Sequence, residues 1–283
     1  MKVGDYRLLP NYRSSKTYFS TPIYKDLPQA ALLILLKGGF EIEKISQQKK
    51  VRQKIDYTNL GERSSSSKRV GDYLSKIITV FPPDMESRKN ISFYKSILVE
   101  ACACLYAINT RQGTIAMLHC YRLLERIAFA MPLVYAQRSG DFKRSFDVIK
   151  SFFANCEKNS GELAFFKTSL TTIFEDFEKE FKFSYTLSAQ EKDALQPCLK
   201  NITLQQTETE SQFRFELTVI QSIEFLINIR NSFFHALSGK PHISLEFLIT
   251  PDATFQTITP NFIHSIMFTI TKIAEPIFIK NNI

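Results

Sequence analysis

The chain has 283 residues, of which 44% are apolar and 25 are phenylalanine, enough to fill one large core or two smaller ones. It carries 36 Lys and Arg against 28 Asp and Glu, a net charge of +8 at pH 7. The longest strongly apolar run, residues 30–36 (AALLILL), is far shorter than the roughly 20 residues that a bilayer span requires. These features predict a globular protein that does not enter a membrane.

The cysteines indicate the compartment. Their number is odd, no two form a C-x-x-C pair, and three of them lie in apolar helical stretches, so we expect buried free thiols in a reducing environment. The N-terminus has charges and prolines where a signal peptide would carry its apolar stretch, which favours a cytoplasmic location. The histidines show no metal-ligand spacing, so neither a metal nor another cofactor is expected. The five cysteines are Cys102, Cys104, Cys120, Cys156 and Cys198.

The first 90 residues hold the whole surplus of positive charge. They contain 17 Lys and Arg against 9 Asp and Glu, whereas the rest of the chain contains 19 of each. Such a surplus suits contact with RNA, since cationic side chains near phosphates release counterions; a solvated basic surface explains it equally well. Residues 1–90 are predicted to be an irregular, basic α+β region with a short helix at 28–37 ended by Gly38 and Gly39, a few short strands and a loop at 61–69.

From residue 91 to 283 the sequence predicts a mainly α domain. Apolar residues recur at helical spacing over 92–110 and 113–137, and the break between them predicts an antiparallel hairpin. Residues 243–249 alternate like a strand. Further helices are predicted at 141–156, 161–181, 189–198, 207–238 and 259–280, the last beginning at Thr259 and Pro260.

The helix predicted at 207–238 has a polar interruption near its end. Its buried face is marked by five apolar residues at helical spacing: Val219, Ile220, Ile223, Leu226 and Ile227. The same face continues through Arg230, whose guanidinium needs an acid, a cleft, another subunit or an anionic ligand. Asn231 and His235 are four residues apart and therefore lie on one side of the helix. Taken singly, such an arginine and such a histidine more often serve the helix terminus and the packing.

Taken together, Arg230, Asn231 and His235 form the motif R-N-x-x-x-H on the last turns of a long helix in a helical region, which resembles the HEPN-domain ribonucleases. The resemblance covers 230–235 and the arrangement of helices from 91 to 283. It implies a HEPN-like helical bundle and a metal-independent endoribonuclease, a toxin or abortive-infection effector in bacterial anti-phage defence. It also implies a homodimer with a composite site, in which Arg230 and His235 are catalytic and Asn231 orients them.

These residue types suit cleavage of RNA without a metal. Histidine, which ordinarily titrates near pH 6.5, can take the proton of a 2′-hydroxyl, and arginine can hold two phosphate oxygens at once. DNA lacks that hydroxyl and would be spared. On the helix at 113–137, His119 most simply packs and Arg122 with Glu125 most simply forms a surface pair. Alternatively, Glu125 holds Arg230 in position without contacting the RNA itself.

Two other functions stay open at this point. In one, the same polar cluster belongs to a non-catalytic helical module that binds RNA, a nucleotide or a partner protein. In the other, the basic helical chain is a DNA-binding regulator, although no convincing helix-turn-helix with a basic recognition helix is found. The basic N-terminal region would bind RNA, sense a trigger or hold an inhibitory or sensor partner protein.

Overall fold

The protein is mainly α, as its sequence predicts, and its described residues include two small antiparallel sheets. It forms two compact units, Met1–Leu123 with Ile277–Ile283, and Leu124–Pro276. The computed structural model describes residues 1–10, 28–57, 90–128, 182–200, 205–208, 212–233 and 250–279, with single residues or pairs and triplets between 130 and 202.

The first unit contains a four-stranded antiparallel sheet against which helices pack. In spatial order the strands are β1 (Lys2–Val3), β2 (Tyr6–Pro10), β3 (Phe40–Lys44) and β4 (Lys49–Arg52). The helices are α1 (Pro28–Leu36), α2 (Ile91–Asn109) and the part of α3 (Gly113–Ala128) that precedes residue 124. Because α2 packs against α1 and contacts all four strands, this unit extends past residue 90, where the sequence changes character.

Helix α1 ends at the two glycines, as predicted. Gly38 has a φ of +83°, and the N–H groups of Gly38 and Gly39 donate to the carbonyls of Leu35 and Ile34 at 3.0 and 2.9 Å. An added Cβ on Gly38 would also lie 3.2 Å from the carbonyl oxygen of Gln53. Both the left-handed backbone and this close approach favour glycine.

Helices α2 and α3 form the predicted antiparallel hairpin. Cys104 and the carbonyl of Ala116 are 3.2 Å apart, and Glu100 contacts His119, so later residues of α3 face earlier residues of α2. By length and composition alone, the 19 residues of α2 meet the requirement for crossing a membrane, but 67% of its apolar window is buried inside the protein. A core helix meets the same requirement.

The second unit is built on a three-stranded antiparallel sheet. In spatial order its strands are β5 (Lys182–Ser188), β7 (Gln212–Thr218) and β6 (Gln205–Glu208). Its helices are α4 (Ala189–Leu199), α5 (Val219–Phe233) and most of α6 (Pro251–Ile279). Aromatic rings fill the space between sheet and helices: Phe215 of β7 stacks on Tyr185 of β5 at 5.2 Å, and Phe225 of α5 and Phe262 of α6 lie 5.9 and 5.7 Å from Tyr185.

The predicted helix at 207–238 is wrong in its first third. Residues Gln212–Thr218 form β7, which pairs with β5 and β6, and the helix begins only at Val219. Phe213, Phe215 and Leu217 are buried while the residues between them are exposed, which is the two-residue period of a strand. Because the apolar residues of α5 follow β7 directly, the sequence pattern also fits a single helix that begins before Val219.

The last helix begins eight residues earlier than predicted, at Pro251 rather than Thr259. The carbonyl of Thr250 accepts from the N–H groups of Ala253 and Thr254 at 3.0 and 3.2 Å. Pro251 thus occupies the first turn, where its missing N–H removes no helical hydrogen bond, whereas Pro260 lies in the helix interior.

Other predictions have mixed outcomes. The short helix at 189–198 is confirmed as α4, which begins with a capping box between Ser188 and Glu191. The loop at 61–69 and the strand at 243–249 lie outside the described residues, as do most of the helices at 141–156 and 161–181.

Candidate functional site

Arg230 lies in the last turn of α5, where the apolar face of that helix reaches the surface. Earlier residues of the same face, Val219, Ile223 and Leu226, are buried. The side chain of Arg230 is 24% exposed. Its guanidinium is therefore at the edge of the core, within reach of solvent.

Two side chains hold this guanidinium. Nη1 of Arg230 donates to Oδ1 of Asn231 at 3.0 Å, and Nη2 lies 3.7 Å from Oε1 of Glu125 on α3. Glu125 is 40% exposed, so the ion pair is screened by water and adds little to stability. Its effect is directional, because it fixes the orientation of the guanidinium. The sequence had suggested Glu125 as a residue holding Arg230, and the structure places it there.

An aromatic contact also anchors the last turn of α5. The rings of Phe233 and Phe255 of α6 meet edge-on with centroids 4.9 Å apart. Residue 233 is also where the described part of α5 ends. His235, the remaining residue of the R-N-x-x-x-H motif, lies outside the described residues.

The predicted surface pair of Arg122 and Glu125 is wrong, since the structure gives each another partner. Arg122 Nη2 lies 3.4 Å from Oε1 of Glu100, and His119 Nδ1 lies 2.9 Å from Oε2 of the same residue. Glu100 is buried in α2, with 3% of its surface exposed. Sequence reasoning missed Glu100, although a single acid in the apolar run LVEACACLYA was a visible signal.

The described cysteines have the character of structural thiols. Cys102, Cys104, Cys120 and Cys198 are free and buried, as predicted. Burial raises the pKa of Cys198 to about 11 and raises the pKa values of Cys102 and Cys120 above the usual thiol range. A buried, protonated thiol is a poor nucleophile. Cys156 lies outside the described residues.

Metal-ligating side chains do not converge in the part of the chain that the structure describes. No three His, Cys, Asp or Glu residues there form a group with the geometry of a metal site.

Comparison with known proteins finds no match: no family model fits the chain, and no curated protein or solved structure is significantly similar to it.

Proposed function

We propose that this protein is a metal-independent endoribonuclease with a HEPN-like helical domain, a cytoplasmic toxin or effector of anti-phage defence. The observation that carries the proposal is the guanidinium of Arg230. It stands at the end of an apolar helix face, partly exposed, and is oriented by Asn231 and Glu125. The defence role follows from the resemblance of the R-N-x-x-x-H motif to HEPN ribonucleases.

In this proposal His235 removes the proton from a 2′-hydroxyl, and that oxygen attacks the adjacent phosphorus. The P–O5′ bond breaks, the 5′-oxygen leaves with a proton, and a 2′,3′-cyclic phosphate remains. Arg230 holds the non-bridging oxygens while negative charge accumulates on the phosphorane. Asn231 and Glu125 contribute by keeping the guanidinium in place, because a guanidinium in another orientation cannot donate two parallel hydrogen bonds to the phosphate. The protonated imidazole, in the same site or in a partner copy, returns the proton to the leaving oxygen.

The test is cleavage of total RNA and transfer RNA by the purified full chain in EDTA, with analysis of the end groups. Wild type is compared with Arg230→Ala, His235→Ala and the control Arg214→Ala, which removes a guanidinium from the solvent face of β7 in the same unit. We expect wild type and the control to cleave equally and to leave cyclic phosphates and 5′-hydroxyls. Both motif variants should be inactive.

Absence of cleavage by wild type, also after addition of infected-cell extract as a trigger, removes the proposal. Equal cleavage by wild type and His235→Ala removes the assigned chemistry, because no other residue of the motif can accept the proton.

One observation favours a second function, a non-catalytic module that binds RNA, a nucleotide or a protein. The guanidinium of Arg230 already has two partners in its own chain, as a structural or binding arginine would. This alternative predicts that His235→Ala binds RNA as wild type does and that wild type leaves the RNA intact.

The role of residues 1–90 is also part of the proposal: they bind RNA or hold an inhibitory or sensor partner protein. Deleting them is a poor test, because α2 packs on the sheet that they form. Charge reversal of exposed lysines is cleaner, for example Lys49→Glu with Lys50→Glu on β4. Weaker RNA binding supports the first role, and toxicity without a trigger supports the second.

A further inference from the structure

Glu100 is a buried carboxylate in the middle of α2, an apolar helix of the first unit. It is 3% exposed, and its neighbours Leu98, Ala101 and Cys102 are completely or almost completely buried. An ionised carboxylate in such a place is costly unless charged or hydrogen-bonding groups compensate it. An apolar side chain of similar volume would pack at least as stably there.

Two basic side chains of α3 lie against this carboxylate and reach the surface. Oε2 of Glu100 lies 2.9 Å from Nδ1 of His119, and Oε1 lies 3.4 Å from Nη2 of Arg122. The side chains of His119 and Arg122 are 21% and 48% exposed, whereas that of Glu100 is 4% exposed. One buried acid therefore aligns two exposed basic groups that are three residues apart on one side of a helix.

This alignment leaves ligand-binding atoms facing outward. Because Nδ1 of His119 is engaged by Glu100, Nε2 is the ring nitrogen left for a ligand. Arg122 has five N–H donors, and the contact with Glu100 occupies one end of its fork. An imidazole and a guanidinium held side by side can contact the oxygens of one phosphate group, with the guanidinium supplying the positive charge.

The net charge of the unit that carries the site favours a long polyanion over a small ligand. The site lies on an exposed helix surface, whereas small ligands are usually enclosed in a cavity. The unit that carries it also contains residues 1–90, with their 17 Lys and Arg against 9 Asp and Glu. A surplus of cations attracts a charged chain and adds affinity that a single phosphate would not gain.

We propose that Glu100, His119 and Arg122 form a binding site for a backbone phosphate of single-stranded RNA. His119 and Arg122 contact the phosphate, and Glu100 is the positioning residue behind them. The proposal concerns binding only, and it stands whether or not the Arg230 motif cleaves RNA.

The first test is fluorescence anisotropy of a labelled single-stranded 2′-O-methyl oligoribonucleotide with the full chain. This probe has no free 2′-hydroxyl, so the result does not depend on cleavage. We expect Arg122→Ala to weaken binding about tenfold, as for loss of a charge-assisted hydrogen bond, and to reduce the slope of log affinity against log salt by about one. The control Lys95→Ala removes the same charge from an exposed position of α2 and should change affinity less than about twofold. Equal effects of the two variants, or no binding by wild type, would overturn the proposal.

The second test separates positioning from charge, using Glu100→Gln. If Glu100 acted only through its negative charge, its removal would strengthen binding of a polyanion. We expect weaker binding instead, because the amide no longer holds His119 and Arg122 in place; stronger or unchanged binding by a folded variant contradicts the proposal. Circular dichroism identifies a variant that does not fold, in which case the comparison of Arg122→Ala with Lys95→Ala decides alone.

Discussion

At the residue scale, the contact between Glu125 and Arg230 links two helices through a partly exposed ion pair. A pair of this kind stabilises the fold by less than about 1 kcal/mol, so its value lies in fixing the direction of the guanidinium. The sequence made Glu125 a candidate because it stands among polar residues of a mostly apolar helix. The 3.7 Å separation of the two side chains could come only from the fold.

We predict that Glu125→Gln folds as wild type does but cleaves RNA about ten- to a hundredfold more slowly, as for loss of a group that orients a catalytic residue. The loss should fall on kcat rather than KM, because the guanidinium is still present to bind phosphate but is no longer directed at the phosphorane. Steady-state cleavage of a defined oligoribonucleotide measures both constants, and thermal denaturation checks the fold. Wild-type kcat in a folded Glu125→Gln would exclude a positioning role.

The contacts of Glu100 with His119 and Arg122 could not be predicted from the sequence. His119 and Arg122 were visible as polar residues on α3, but their partner Glu100 is 19 residues from His119 and on another helix. A lone acid in an apolar run is ambiguous, since it can mark a helix terminus, a break or a buried ion pair. Only the packing of the hairpin decides which of these applies.

The buried thiols predict how stability depends on pH. Burial raises the pKa of Cys198 to about 11 and raises those of Cys102 and Cys120 further above the unfolded value of about 8.5. Because the folded state keeps its thiol protons while the unfolded state loses them, the free energy of unfolding should be constant below about pH 8.5 and fall between pH 8.5 and 11. Urea titrations across this range measure the fall.

Cys198→Ala is the matched variant for this prediction, because it removes one of the three thiols and leaves the other two. Its fall in stability over the same pH range should be shallower than that of wild type. Tyr6, whose pKa burial raises to about 12, contributes only above pH 10, where unfolded tyrosine ionises. Identical pH profiles for wild type and Cys198→Ala would show that this thiol is not what destabilises the alkaline protein.

At the element scale, β7 shows why a period alone can mislead. The segment QFRFELT alternates apolar and polar residues and is followed directly by the apolar spacing of α5, so one continuous helix and a strand followed by a helix compete for the same residues. The strand wins because β5 and β6 pair with it on both sides. Those two strands lie elsewhere in the sequence, so the residues of β7 alone do not reveal that it pairs with them. Where the signal was local, as at Gly38 and Gly39 or at Ser188 and Glu191, the predicted boundaries hold.

The centre of β7 should be the most sensitive part of the second unit. Phe215 is 1% exposed and lies 5.2 Å from the ring of Tyr185 and 5.9 Å from that of Phe225. Phe215→Ala leaves a cavity among these rings, and we expect it to lower the free energy of unfolding by about 3–5 kcal/mol. Arg214→Ala, on the solvent face of the same strand, should change it by about 0.5 kcal/mol or less. Denaturant titration of both variants measures the contrast, and similar values would place the ring at the surface rather than in the core.

At the scale of the whole molecule, the expected homodimer now rests on the family resemblance rather than on the apolar face of α5. That face was a candidate subunit interface because Arg230 interrupts it. In the structure Val219, Ile223 and Leu226 are buried within the chain, and Arg230 contacts Glu125 of the same chain. A subunit interface is therefore not needed to explain the interruption. The dimer must be argued from the chemistry that a composite site performs.

That chemistry needs a base for the 2′-hydroxyl and an acid for the 5′-oxygen, and the R-N-x-x-x-H motif supplies one histidine per chain. Two copies facing each other would supply both groups at once, so we predict a particle of twice 32.6 kDa in light scattering. Cleavage per chain should then fall on dilution below the dissociation constant of the dimer, because a monomer lacks half of the acid–base pair. The control Arg214→Ala should follow the same dilution curve as wild type. Cleavage that is proportional to chain concentration at all dilutions, from a particle of 32.6 kDa, would show that a single His235 both takes and returns the proton.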